Sequence, residues 1–236
     1  MIKKGRQEML IYAHRGASID FAEGSKAAYL GALTQGADGF ECDVRLTKDK
    51  QIICYHDSDT KRLSNIDLKI AKSSYEELKA KVDPYRLDEL LDLSISNKKD
   101  LVIELKHPVP TGALIEKLVH KLLISRGSEI ENSEIKISLI SFSYLATLRN
   151  LKSGYEAGYL VKTLKLIKIN PAPVIALNIN IVRQNPKVIA DQHKKGKTVF
   201  VWTVNEASDL LLCAKEGADA VITDKPAQAR MLLGYS

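Results

Sequence analysis

Twice in this 236-residue chain the triplet Gly-Ala-Asp leads into an apolar run that places an aspartate seven residues after the glycine: Gly36-Ala37-Asp38 leads to Asp43, and Gly217-Ala218-Asp219 leads to Asp224. A helix-ending glycine, a short turn and a buried strand with a carboxylate at its far end are what an α-to-β connection produces, so the echo marks a repeated unit. Around the two copies, short apolar runs alternate with amphipathic segments. Strands are read at residues 9–14, 40–44, 101–106, 137–142, 156–160, 174–178, 198–204 and 220–223, with 51–55 as an appendage of the second. Eight strands alternating with helices in a chain of this length predict one α/β domain over residues 1–236, a TIM (β/α)8 barrel; a doubly wound open sheet is the alternative.

The segments between the strands carry their own signals. Ser25 reads as the cap of a helix whose apolar face is Ala28, Tyr29, Ala32 and Leu33, with Gly36 ending it. Residues 85–97 and about 112–126 read as helices, the second with Leu114, Ile115, Leu118 and Leu122 on one side. The polar, lysine-rich stretch 58–84 reads as the longest irregular connection.

Glu41 and Asp43 are the residues this pattern must explain. On a strand, positions i and i+2 point to the same face, about 6.6 Å apart at ~3.3 Å per residue. Two carboxylates on the covered face of an apolar strand repel each other and lose hydration, so they require a hard cation, a guanidinium or a lysine. The other polar residues fall at matching places: His14-Arg15 end the first strand, His56 follows the appendage, Glu104 and Lys106 end the third, Trp202 and Thr203 lie late in the seventh, and Asp224 ends the eighth. In a barrel all of them meet at one rim, the C-terminal ends of the strands, where barrel active sites lie.

Charge and cysteine content narrow the partners. The formal net charge is +6, but 35 basic residues are spread along the chain and partly matched by 29 acidic ones, with no basic-aromatic stripe. An anionic small molecule accounts for this balance, and nucleic acid is not expected. Cys42, Cys54 and Cys213 each lie within an apolar pattern, which reads as reduced core thiols and a cytoplasmic setting. Residues 1–10 lack the apolar stretch of a signal peptide, and no segment has the ~20 apolar residues needed to span a bilayer, so stable membrane insertion is not expected.

At His14-Arg15-Gly16 a specific likeness begins. The segments IYAHRG, GADGFECDVRLTKD, YHD, LVIELK, VFVWTVN and GADAVITDKP resemble, in order and spacing, those of the glycerophosphodiester phosphodiesterase family. The resemblance implies a barrel of the phospholipase C-like phosphodiesterase type that hydrolyses glycerophosphodiesters to glycerol 3-phosphate and an alcohol with a divalent cation, Mg²⁺ or Ca²⁺. Carried over residue by residue, it implies that His14 and His56 are the catalytic pair, that Glu41, Asp43 and Glu104 are metal ligands, and that Arg15 and Lys106 hold phosphate. Trp202 resembles the aromatic residue that closes over the substrate. Related activities on lysophospholipids or sphingomyelin-like lipids, and a catalytically silent phosphate-binding barrel, are the alternatives.

Structural readings stand beside these roles. Glu41 and Asp43 can form an ion-pair cluster with Arg15 and Lys106 without metal, Trp202 can fill the barrel, and Asp224 can orient a neighbour or cap the next helix. His107, His120 and His193 read as packing or solvent-facing residues. Where relatives carry Pro-Glu-Asn-Thr, this chain has Ala22-Glu23-Gly24-Ser25, so the asparagine amide is missing at Gly24. The short connection from His56 to Tyr85 leaves little room for a pocket-capping insertion. These residues leave the head group, the oligomeric state and the roles of the individual histidines open.

Overall fold

A computed structural model describes residues 8–235. The sequence reading of the first seven residues lies outside the described residues. Nine strands form one sheet: β1 (Leu10–His14), β2 (Gly39–Leu46), β3 (Ile52–Cys54), β4 (Asp100–Leu105), β5 (Ile137–Ser141), β6 (Glu156–Val161), β7 (Val174–Asn178), β8 (Thr198–Trp202) and β9 (Ala220–Thr223). Eight of them pair in parallel in the order β1-β9-β8-β7-β6-β5-β4-β2, and β1 pairs back onto β2. The sheet is therefore a closed (β/α)8 barrel, and β3 is an antiparallel appendage of β2.

Alternation along each strand sorts the core into two layers. Outward residues such as Phe40, Cys42 and Val44 pack under the surrounding helices. Inward residues Tyr12, Val102, Ile140, Leu160, Phe200 and Ile222 fill the barrel with an apolar plug. Tyr12 and Phe200 meet edge to face at 5.5 Å within it, a favoured aromatic geometry. One step further along the same faces the side chains become polar. The register sets His14 opposite Glu41 and Asp43 opposite Glu104.

The predicted turn chemistry is present. Ser25 accepts from the Ala28 amide and caps helix Lys26–Thr34. Gly36 and Gly217 both adopt positive φ where their helices end. One expectation is corrected. Residues 58–84 are not irregular, because they hold the helices Lys61–Ser64 and Tyr75–Val82 with a 3-10 turn between them. Ile70, Tyr75 and Leu78 bury a satellite cluster against Ile53 and Tyr55, and the lysines lie outside it. In helix Leu114–Ser125 the expected side faces the core, with Ile115 fully buried and Leu114, Leu118 and Leu122 partly buried against it; Val119 and Leu123 complete the fully buried stripe, which also carries Glu116. That carboxylate is tolerated because Arg149 donates to it at 2.7 Å and His107 lies 3.1 Å away.

Candidate active site

The turn after β1 brings the first two site residues into place. Arg15 and Gly16 both have positive φ, and a Cβ at Gly16 would lie 2.5 Å from the Ala28 backbone, so only glycine fits beneath helix Lys26–Thr34. The Arg15 amide bonds the Glu41 carbonyl at 2.9 Å, which locks the turn to β2. His14 then points its Nδ1 at Asp224 Oδ1, 2.6 Å away, while its Nε2 lies 3.9 Å from Glu41 Oε2. A carboxylate at Nδ1 holds the proton on that nitrogen and leaves Nε2 facing the acidic cluster.

Asp224 orients a neighbour and does not cap a helix; Ser18 and Asn205 also donate to it. Burial opposes its ionisation, but the His14 hydrogen bond and charge, with Asn205 and Ser18, outweigh that and bring its pKa down to about 2. A depressed carboxylate stabilises the fold above its ordinary pKa of 3.8 and loses that contribution as pH falls through about 2. Asp224→Asn is therefore expected to cost about 2 kcal/mol at neutral pH, and denaturant titrations should show the difference vanishing near the acid end of that window.

Glu41, Asp43 and Glu104 are all buried, at 3%, 2% and 8% exposure, and one oxygen of each lies within 4.8 Å of the others. Lys106 Nζ sits 3.0 Å from Asp43 and 2.7 Å from Glu104, and Arg15 Nε lies 2.7 Å from Asp43 Oδ2. The ion-pair reading is thus realised around Asp43 and Glu104. It does not reach Glu41, whose nearest basic partner among the described residues is His14. Electrostatics show the mismatch. Burial would raise Asp43, but Lys106 and then Arg15 hold it well below the usual carboxylate range. Burial and then Asp43 push Glu41 well above that range, and the same two causes lift Glu104 to about 7. Three hard oxygen donors within reach of one another are a set that could hold a metal ion.

His56 approaches from the other side. It follows β3, its Nδ1 lies 2.7 Å from Asp57 Oδ1, and its carbonyl accepts from Arg45 Nε. Burial foremost lowers its pKa. His56 lines a small pocket with Arg15, Glu23 and Asp43, while His14 reaches the cluster at Glu41.

A chain of ion pairs that sequence reasoning missed joins the two sides. Arg62 donates to Asp57 at 2.5 Å and grips both oxygens of Glu23 at 2.6 and 2.9 Å, and Glu23 accepts from Arg15 at 2.9 Å. No local pattern marks Arg62, which sits in a lysine-rich stretch. Gly24 contributes only backbone here: its amide bonds the Arg15 carbonyl, its φ is +70°, and a Cβ would stand 3.2 Å from the Cys54 carbonyl. Trp202, half-buried on top of the apolar plug, donates Nε1 to the Ala176 carbonyl and packs edge-on to Phe142 at 5.3 Å. His107, His120 and His193 lie in other pairs, with Glu116, Asn150 and Asp219, as packing residues.

Comparison with known proteins follows the same line. A model of the glycerophosphoryl diester phosphodiesterase family matches residues 14–228. A Mycobacterium tuberculosis protein named "Probable glycerophosphodiester phosphodiesterase 1" is 27% identical, over 94% of this chain and 92% of its own length. A solved glycerophosphodiester phosphodiesterase from Thermotoga maritima superposes with a TM-score of 0.77 at 25% identity, covering 96% of this chain and 99% of its own. A phosphodiesterase from Oleispira antarctica, solved with the product sn-glycerol-3-phosphate, shares the fold at a TM-score of 0.77 and 22% identity, covering 95% and 96%.

Proposed function

Since this chain belongs to the glycerophosphoryl diester phosphodiesterase family and is a phosphoric diester hydrolase, we propose that it hydrolyses glycerophosphodiesters to glycerol 3-phosphate and an alcohol, as one domain, at the rim formed by β1, β2 and β4. The observation that carries this reading is the register that sets His14 beside Glu41 and Asp43 beside Glu104, with Lys106 across the carboxylates.

In this reading Arg15 and Lys106 bind the anionic phosphate. Glu41, Asp43 and Glu104 hold a divalent cation, which when bound supplies charge neutralisation to the phosphoryl oxygens. His14 and His56 share the proton work, one accepting from the attacking hydroxyl or water and the other donating to the leaving alkoxide. Asp224 and Asp57 fix the two rings at Nδ1, so each presents its other nitrogen to the reaction. Trp202 forms the apolar wall against which the glycerol or head group rests. The buried free thiols of Cys42, Cys54 and Cys213 support a cytoplasmic setting, and no helix among the described residues is long and apolar enough to cross a membrane.

Product analysis tests the reaction. Purified protein incubated with glycerophosphocholine is expected to release glycerol 3-phosphate and choline. Release of phosphocholine and glycerol, or tight binding without turnover, would overturn the reading. The ion-pair chain adds a separate expectation: Arg62→Ala leaves Asp57 with His56 alone and Glu23 with Arg15 alone, and kcat should fall about 10–100-fold with little change in KM, the scale of a small misplacement of a reacting group. Steady-state kinetics of that variant beside Arg62→Lys measures it.

A further inference from the structure

The connection from β6 to β7 carries a feature that phosphodiester hydrolysis does not use. Lys162, Lys165 and Lys168 alternate with apolar residues there, and Leu164 and Ile169 are exposed at 44% and 51%. On the neighbouring connection after β5, Leu145 is exposed at 63%. The two connections adjoin, because Ser141 and Tyr159 are partners in the sheet and the Tyr144 ring packs on Tyr159 at 6.2 Å. This shelf borders the mouth: Lys162 Nζ stands 4.4 Å over the Phe142 ring, whose other neighbour is Trp202.

Its charge is one-sided. No acidic residue occurs between Glu156 and Asp191, a stretch that holds Lys162, Lys165, Lys168, Arg183 and Lys187. Lys165 and Lys168 are exposed and have no ion-pair partner among the described residues. Exposed leucine and isoleucine interleaved with unmatched lysines fit a surface that is apolar beneath and anionic above, as a bilayer of acidic phospholipids is.

We propose that this shelf docks the barrel mouth onto an anionic phospholipid bilayer, with Lys165 and Lys168 at the headgroups and Leu164 and Ile169 dipping below them. The docking is peripheral and leaves the barrel in water. Its consequence, that glycerophosphodiester groups lying at the membrane surface are brought to the mouth, rests on the proposed function; the docking itself does not.

Flotation of the full protein with phosphatidylcholine vesicles, with and without phosphatidylglycerol, tests it. The protein should float with the anionic vesicles alone and be released by added salt. Lys165→Glu with Lys168→Glu should lower that partitioning by about thirtyfold or more, from the usual contribution of each basic residue near an anionic surface. Leu164→Ser with Ile169→Ser should lower it as well. Both variants should hydrolyse soluble glycerophosphocholine at the parent rate. Failure to float, equal flotation on neutral vesicles, unchanged flotation of the lysine variant, or lost hydrolysis of the soluble substrate would each overturn the proposal. Loss of hydrolysis in the parent protein would instead strike at the proposed function and leave the docking result standing.

Discussion

Replacing His14 or His56 with alanine is expected to lower kcat toward glycerophosphocholine by about 10²–10⁴-fold, the range that a positioned acid or base contributes, while the barrel stays folded. The two rings sit on the polar side of the apolar plug and contribute little to it, so the loss is of proton transfer and not of core. Asp224 keeps Ser18 and Asn205 when His14 is removed, and Asp57 keeps Arg62 when His56 is removed. Neither change therefore strands Asp224 or Asp57 without a donor, and Glu41 keeps the Arg15 amide when His14 is removed. Stopped assays of glycerol 3-phosphate beside thermal melts separate the two effects. Near-parent turnover in either variant would remove that histidine from the chemistry.

Asp43→Asn is expected to be the most damaging change among the acidic residues, in both activity and stability. Asp43 pairs with both Arg15 and Lys106, and removing one partner of a buried ion pair typically costs about 3–5 kcal/mol, a range whose lower end applies here because Glu23 and Glu104 still pair with the two cations. The same substitution removes one of the three oxygen donors proposed to hold a divalent cation. A measurement that does not depend on turnover distinguishes the roles: Mg²⁺ or Ca²⁺ should raise the thermal midpoint of the parent, since an ion that binds only the folded state stabilises it, and should leave Asp43→Asn and Glu104→Gln unmoved. An unchanged parent midpoint across a range of either ion would mean that the cluster is an ion-pair network only.

Much of this site was readable before the fold was known, and the reasons are local. Glu41 and Asp43 stand two apart on an apolar strand, so their shared face follows from the pleat alone. Gly36 and Gly217 announce their helix ends because the left-handed conformation there favours glycine. The closure of the barrel, with β3 set aside as an appendage, followed from counting βα units. What escaped depends on tertiary contact. Arg62 earns its place only when residues 58–84 coil into short helices over Ile53 and Tyr55, which brings it between Glu23 and Asp57. Glu116 looks like a surface residue on its helix until Arg149 and His107 arrive from other connections. The exposed shelf after β6 is not singled out in the sequence, and only the fold shows it beside Phe142 and Trp202.

The most direct test of the account is the rate of glycerol 3-phosphate release from glycerophosphocholine by protein stripped with EDTA, followed as Mg²⁺ or Ca²⁺ is restored. The account predicts no release above background in chelator and recovery of the full rate on addition of the ion, in the parent but not in Glu104→Gln. Undiminished release in EDTA would contradict it.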